Sequence, residues 1–234
     1  MSSPVLVAKP LNSLSMARYV LILAHTAAAC ALVMLTACAS QLTPKSGAGK
    51  PATAPLPAIA HGAVSSAEVR AGKVKLLLQA GITPLQAQAV PAYLDALQAK
   101  LHSAIAGNTA QLARAQSEVV VVLPARVLFV PDAVELTPTG GKFLATLADT
   151  LRGETALLIE ASCHTDRLGS AADNESFTAL RAELVRATLT AAGIDPEHLM
   201  AIGPGDQFPI ADNATADGRR LNRRVELSLI PITR

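Results

Sequence analysis

The sequence has little of several residue types that mark common classes of protein. It contains no tryptophan, aromatic residues make up 3% of its 234 residues, and it has only three cysteines. Near Cys163 and His164, no second histidine or cysteine stands at the spacing of a metal site. We therefore expect neither a metal nor a cofactor.

Acidic residues are also absent before Glu68, while Lys9 and Arg18 precede an apolar run of 17 residues over 19–35. This layout is typical of an export signal. The run lies at the lower limit of the roughly 17–25 residues that span a bilayer, so an uncleaved membrane anchor is the less favoured alternative. The run ends in Leu-Thr-Ala-Cys, which resembles the bacterial lipobox. That resemblance implies a signal peptide over 1–37 and acylation of Cys38.

The charge balance argues against nucleic acid as a partner. The formal net charge of +2 includes Lys9 and Arg18, and their removal leaves 18 basic against 18 acidic residues. A formally neutral chain has no electrostatic basis for binding a polyanion. With Cys30 in the signal peptide and Cys38 lipidated, Cys163 is the one remaining thiol, so we expect no disulfide in the mature chain.

Composition divides the remaining chain into three parts. Residues 38–66 are rich in Ala, Pro, Ser and Gly and have few large apolar residues, which predicts a flexible linker that could extend about 80 Å. Residues 67–108 predict two helices, one over 69–80 and one over 84–106. Pro91 either kinks the second helix or marks its first turn.

Residues 109–234 predict one α+β domain, large enough for a single core. β-branched and apolar runs predict strands, and apolar stripes at spacings of three and four predict helices. The predicted strands are 111–115, 119–123, 155–161, 198–202 and 223–230, and the predicted helices are 138–151 and 173–192.

A series of short motifs carries a family resemblance. They are His164-Thr165-Asp166, Asn174, Arg181-Ala182, Gly218-Arg219 and Asn222-Arg223-Arg224-Val225-Glu226. In order and spacing they resemble the OmpA-like domain, over about 119–230. The resemblance implies a βαβαβ sandwich, in which helices pack on one face of a mixed sheet.

The resemblance also implies a binding site for peptidoglycan. Family residues matching Asp166 and Arg181 grip the diaminopimelate of the stem peptide, whose zwitterionic end suits a carboxylate opposite a guanidinium. Arg181 is expected in the second turn of its helix. Thr165 is expected to donate a hydrogen bond, and Asn174 either to cap the helix or to bind ligand. Of the neighbours Arg223 and Arg224, which should point to opposite faces of a strand, Arg224 is favoured as a further contact.

Several positions depart from the family pattern. Cys163 replaces a usual glycine, Phe177-Thr178 replaces Leu-Ser, and Val130 stands where a polar residue is common. A catalytic role is not expected: neighbours on a strand point oppositely, which separates the Cys163 thiol from the His164 imidazole. Ser162, His164 and Asp166 could share one face, but packing in line along a strand does not give the separate nucleophile, base and orienter of a triad.

Together these features predict a lipoprotein on the periplasmic face of the outer membrane that tethers the membrane to the cell wall. The alternative is a wall-anchoring subunit of a secretion, motility or envelope-constriction complex. In that case residues 67–108 would be the partner-binding element. The sequence leaves both open.

Overall fold

The computed structural model describes residues 67–107, 109–115 and 117–234. The expected signal peptide (1–37), the lipidation site Cys38 and the linker (38–66) lie outside these residues.

The described part of the chain contains six α-helices and five strands. The helices are α1 (Ala67–Gln79), α2 (Val90–Ile105), α3 (Ala125–Leu128), α4 (Pro138–Leu151), α5 (Ala171–Ala191) and α6 (Ala216–Asn222). The strands are β1 (Gln111–Arg114), β2 (Val119–Pro124), β3 (Leu157–His164), β4 (Leu199–Gly205) and β5 (Arg224–Pro231). Short 3-10 helices at Ala87–Ala89 and Pro196–His198 precede α2 and β4.

The strands form one mixed sheet in the order β1-β2-β5-β3-β4. Only β3 and β4 pair in parallel, joined through α5, and the other neighbours pair antiparallel. Parallel neighbours need a long crossover, which the helix α5 supplies. This confirms the predicted α+β class with a mixed sheet.

The main core lies between one face of the sheet and helices α2, α4 and α5. Alternate residues of the central strands point into it because the side-chain period of a strand is two. From β3 and β5 these are Leu157, Ile159, Ala161, Cys163, Val225, Leu227 and Leu229. Helix α4 adds Phe143, Leu144, Leu147 and Leu151, the stripe predicted for it.

Helix α2 belongs to this same core. Leu94, Leu97, Leu101 and Ile105, spaced three and four apart, are its buried residues. Pro91 lies in the first turn of α2, which decides between its two predicted roles. The predicted boundary at residue 108 therefore does not separate two cores.

Helix α1 lies on the opposite face of the sheet. Its Leu77 packs with Leu158 and Ile232, and Leu158 points away from the main core because it alternates with Leu157 and Ile159. After α1 the backbone N–H of Leu85 donates to the Ile232 carbonyl at 2.8 Å. The chain thus passes the end of the sheet before entering α2, and helices cover both faces.

Several element ends differ from those predicted, and the differences position the site. Strand β3 continues to His164 instead of ending at residue 161, and α5 begins at Ala171 instead of 173. The short helices α3 and α6 were not predicted, because four and seven residues are too few to show a helical period.

Candidate functional site

A cleft of about 560 Å³ opens where the chain leaves β3 towards α5. Four of the residues expected to bind ligand line it: Thr165, Asp166, Asn174 and Arg181. Arg224 is not among the lining residues. The cleft therefore gathers the ends of β3 and α6, one face of α5, and the loop after α3.

Asp166 lies two residues past the end of β3 and is only 3% exposed. Its Oδ1 accepts a hydrogen bond from the Leu168 backbone N–H at 2.9 Å. Its Oδ2 forms an ion pair with Nη1 of Arg223. The carboxylate is thus held in one orientation by a backbone donor and a guanidinium.

Arg181 lies in the third turn of α5, which begins at Ala171, and not in the second turn as expected. Its guanidinium carbon is 4.1 Å from the ring centroid of Phe177 and 4.5 Å from that of Phe129. Cation–π contacts of this kind are worth about 0.5–2 kcal/mol each. Burial lowers the pKa of Arg181, although a guanidinium remains charged at neutral pH.

Backbone carbonyls fix the same guanidinium from another side. Nε and Nη2 of Arg181 donate to the Ala133 carbonyl at 2.9 and 2.7 Å, and Nη2 also donates to Val130 at 3.2 Å. No hydrogen bond found among the described residues uses Nη1. One amino group of a rigidly held guanidinium is therefore left for a ligand.

A tight turn over 130–133 presents those carbonyls. The Ala133 N–H donates to the Val130 carbonyl at 3.3 Å, and Val130 N–H donates to Glu135 at 2.9 Å. Asp132 adopts φ 53°, a left-handed conformation that aspartate tolerates better than most residues. Asp132 is among the residues that line the cleft.

Thr165 and Asn174 connect the cleft to the surrounding elements. The Thr165 N–H donates to the Gly205 carbonyl at 3.0 Å, which ties the end of β3 to β4. Asn174 donates from Nδ2 to the Asp166 carbonyl at 3.3 Å. The cap of α5 is Ser170, whose Oγ accepts from the Asp173 N–H at 3.1 Å. Asn174 therefore does not cap α5, which was one of its two predicted roles.

The two neighbouring arginines have different surroundings, and Arg223 is the one at the cleft. Arg224 is 2% exposed, and its Nε lies 2.5 Å from Oε1 of Glu226. Arg224 is the first residue of β5, so it shares the second face of the sheet with Glu226, two residues on. Arg223 is the residue that follows α6 and caps it, and it pairs with Asp166. This placement corrects the sequence-based preference for Arg224.

Comparisons with known proteins agree with this architecture. The model of the OmpA family matches residues 128–223. "Probable lipoprotein YiaD" of Escherichia coli (strain K12) is 30% identical over 171 residues, which cover 73% of this chain and 78% of that relative. The chain belongs to the OmpA family.

Other known proteins match this chain over shorter stretches. "Peptidoglycan-binding protein ArfA" of Mycobacterium tuberculosis is 35% identical over 112 residues, 48% of this chain but only 34% of ArfA. A MotB-like protein from Desulfovibrio vulgaris has a TM-score of 0.54 at 25% identity, covering 70% of this chain and 96% of that one. The cell wall anchor of the T6SS from Pseudomonas aeruginosa has a TM-score of 0.52 at 27% identity, covering 58% and 96%.

The departures from the OmpA family pattern have structural explanations. Phe177 supplies one of the two rings that contact Arg181. The Thr178 hydroxyl accepts from the Gly205 N–H at 2.9 Å and so ties α5 to the end of β4. At Val130 it is the backbone carbonyl that matters, because it accepts from Arg181.

Cys163 and His164 lie on opposite faces of β3, as predicted. The thiol faces the main core, and burial raises its pKa to about 12, which disfavours the reactive thiolate. On the other face, Nε2 of His164 lies 3.3 Å from Ser162 Oγ, and Nδ1 has no hydrogen-bond partner among the described residues. Burial lowers the pKa of His164 to about 2, and the nearby Arg224 adds to the effect. A Cys–His dyad is therefore ruled out by geometry.

In the part of the chain that the structure describes, no three histidine, cysteine or acidic side chains are arranged to hold a metal ion. Within the same residues, none of the helices has both the length and the apolar character to cross a membrane.

Proposed function

We propose that this protein binds peptidoglycan noncovalently, with the diaminopimelate residue of the stem peptide seated in the cleft. The observation that carries the proposal is that Asp166 and Arg181, which are oppositely charged, line one cleft. The names of ArfA, a peptidoglycan-binding protein, and of the T6SS cell wall anchor support a wall ligand. The proposal involves no turnover and no cofactor.

Each end of the zwitterion has a partner in the cleft. The carboxylate of Asp166 accepts from the ligand ammonium, since each of its oxygens has a further lone pair available. The ligand carboxylate receives N–H bonds from Nη1 of Arg181 and from Arg223. Thr165 and Asn174 contribute neutral polar groups beside this pair. Because the protein already holds Arg181 rigid, little of the binding free energy is lost in ordering that side chain.

Co-sedimentation with purified sacculi tests the proposal. We expect Asp166→Ala and Arg181→Ala to abolish binding. Arg181→Lys, which keeps the charge but loses the planar fork, should weaken it. Arg186→Ala is the matched control, because Arg186 lies on the same helix but pairs with Glu183 at the surface. Binding that is unchanged in both alanine variants would refute the proposal.

Stability must be measured beside binding. From sequence alone, a surface pair would be expected to contribute little to folding. Arg181 instead contacts two aromatic rings and two backbone carbonyls, so its alanine variant should lose about 1–3 kcal/mol of unfolding free energy. Urea unfolding of each variant shows whether the protein used for sedimentation is folded.

As a cellular role, we propose that acylation at Cys38 anchors the protein to the periplasmic face of the outer membrane, and that the linker and the cleft then tether this membrane to the wall. Two features support it: the lipobox-like sequence before Cys38 and the name of the relative, "Probable lipoprotein YiaD".

The second candidate is a wall-anchoring subunit of an envelope complex. The similarity to a MotB-like protein and to a T6SS anchor favours it. Helix α1 presents an exposed Leu76 that a partner could contact. This candidate predicts that a specific partner protein cross-links to α1 in cells. If no such partner is found, the tether between membrane and wall is the better proposal.

A further inference from the structure

We infer that Arg126 and Arg220 extend the cleft into a second binding region, one that takes additional carboxylates of the stem peptide. The protein should then prefer stems whose carboxylates are free over stems in which they are amidated. This inference rests on the proposed function, because it concerns the same ligand in the same cleft.

The cleft carries an excess of positive charge. Its charged lining consists of four arginines, Arg126, Arg181, Arg220 and Arg223, and two aspartates, Asp132 and Asp166. The zwitterionic end of diaminopimelate has one positive and one negative group, so it does not itself call for such an excess. The surplus indicates a ligand with more carboxylates than ammonium groups.

The pairing within the cleft shows which arginines are surplus. Arg223 is paired with Asp166, and Arg181 is held by backbone carbonyls with Asp132 nearby. Arg220 pairs, among the described residues, only with Asp217 at 3.0 Å. Those two side chains are 57% and 85% exposed, so their pairing is worth no more than about 1 kcal/mol.

Arg126 differs from Arg220 in having no ion pair within the described ranges. It is exposed on α3 and reaches the cleft lining from there. Both surplus guanidiniums are therefore available to a ligand at little cost in lost protein contacts.

Backbone structure fixes these arginines in one region. The Ala125 N–H donates to the Arg223 carbonyl at 2.9 Å, which places Arg126 next to the end of α6. Arg220 lies in the last turn of α6, three residues before Arg223, which caps that helix. A row of guanidiniums therefore continues from the Asp166 site along α6 and α3.

The ligand offers matching groups. A stem residue linked through its γ-carboxyl retains a free α-carboxylate, and diaminopimelate has a carboxylate at each end. Arginine binds carboxylates in bidentate geometry. An amide in the same place has no charge and turns N–H donors towards the N–H donors of arginine, which is unfavourable.

Calorimetric titration with two synthetic stem tripeptides tests the inference. One has alanine, γ-linked glutamate and diaminopimelate with every carboxylate free. The other has a carboxamide in place of the glutamate α-carboxylate. We expect the wild-type protein to bind the first on the order of tenfold more tightly, a difference that shrinks with added salt.

The double variant Arg126→Gln/Arg220→Gln should bind the two peptides with equal affinity. Arg186→Gln is the control and should keep the tenfold preference. Inorganic phosphate, which also binds guanidinium groups, is titrated separately. Phosphate binding to the wild-type protein that is tighter than binding of the free-carboxylate peptide would overturn the assignment to carboxylates.

The remaining outcomes separate the two proposals. If both peptides bind the wild-type protein equally while Asp166→Ala binds neither, the inference about Arg126 and Arg220 is overturned and the proposed function stands. If neither peptide binds the wild-type protein, both are overturned.

Discussion

The side chain of Arg181 shows how single residues prepare this cleft. A guanidinium in water samples many rotamers, and ordering one on binding costs about 0.5–1.5 kcal/mol. Here Phe129 and Phe177 contact it, and the turn over 130–133 accepts hydrogen bonds from two of its nitrogens. The ordering cost is thus met during folding, so the ligand meets a prearranged donor.

His164 lies on the face of β3 that points away from the main core. It should make the free energy of unfolding depend on pH. Its folded pKa of about 2 lies below the ordinary value of 6.5, because burial disfavours the charged ring. Above pH 6.5 the ring is neutral in both the folded and unfolded states. As pH falls below 6.5, only the unfolded state takes up the proton, so stability is lost progressively down to about pH 2.

We therefore expect His164→Gln to remove part of the acid sensitivity. Between pH 6.5 and 4, the wild-type free energy of unfolding should fall by up to about 1.4 kcal/mol per pH unit more than that of the variant. Urea unfolding at several pH values measures this. His102→Gln, at an exposed position on α2, is the control and should follow the wild type. Parallel curves for wild type and His164→Gln would contradict the prediction.

Among the elements, α5 contributes most to the cleft, and its close packing on β4 sets its position. A Cβ at Gly203 would lie 1.9 Å from the Ala179 nitrogen and 2.3 Å from the Thr178 carbonyl carbon. Both contacts are with backbone, so no side-chain rotation can relieve them. Since α5 carries Asn174, Phe177 and Arg181, its distance from β4 fixes one wall of the cleft.

Gly203→Ala should accordingly lower both stability and binding. Forcing α5 away from β4 is expected to cost about 1–3 kcal/mol or more, and it moves Arg181 relative to Asp166. Thermal unfolding and co-sedimentation with sacculi measure the two effects. Gly141→Ala is the matched control: no atom lies within 4 Å of its added Cβ, so this helical position should gain up to about 1 kcal/mol. If Gly203→Ala binds sacculi and unfolds like the wild type, the prediction is wrong, because α5 then tolerates displacement from β4.

For the whole molecule, the proposed tether needs two working ends. One is the acylation site at Cys38 and the other is the cleft in the folded domain. Helix α2 is built into the core of that domain, and α1 packs on the second face of its sheet. A force transmitted from the membrane through the linker would therefore act on a domain into which α1 and α2 are already packed.

Loss of either end should produce a different distribution in cell fractions. We expect Cys38→Ser to leave the membrane fraction but remain with sacculi. Asp166→Ala should remain in the membrane and leave the sacculi. Immunoblotting of membrane and wall fractions distinguishes these outcomes. Detergent-sensitive retention of Asp166→Ala on the wall would instead indicate a partner protein, as in the envelope-complex alternative.

Much of this arrangement could be predicted from local patterns. The apolar spacing in α2, α4 and α5 and the β-branched run of β2 predicted these elements, because a buried face repeats with the period of the helix or strand. The motif containing Asp166 and Arg181 predicted an acid and a base in one cleft, and both line it. The charge balance and the cysteine positions likewise depend on the sequence alone.

Tertiary structure decided the rest, because it depends on contacts between residues far apart in the chain. Phe129 meets Arg181 across 52 positions, and the Ala133 carbonyl meets it across 48, so no local spacing indicates either contact. The choice of Arg223 over Arg224 depends on the residue at which β5 begins. Placing α1 on the second face required the path of the chain around the end of the sheet, which hydrophobic periodicity does not specify.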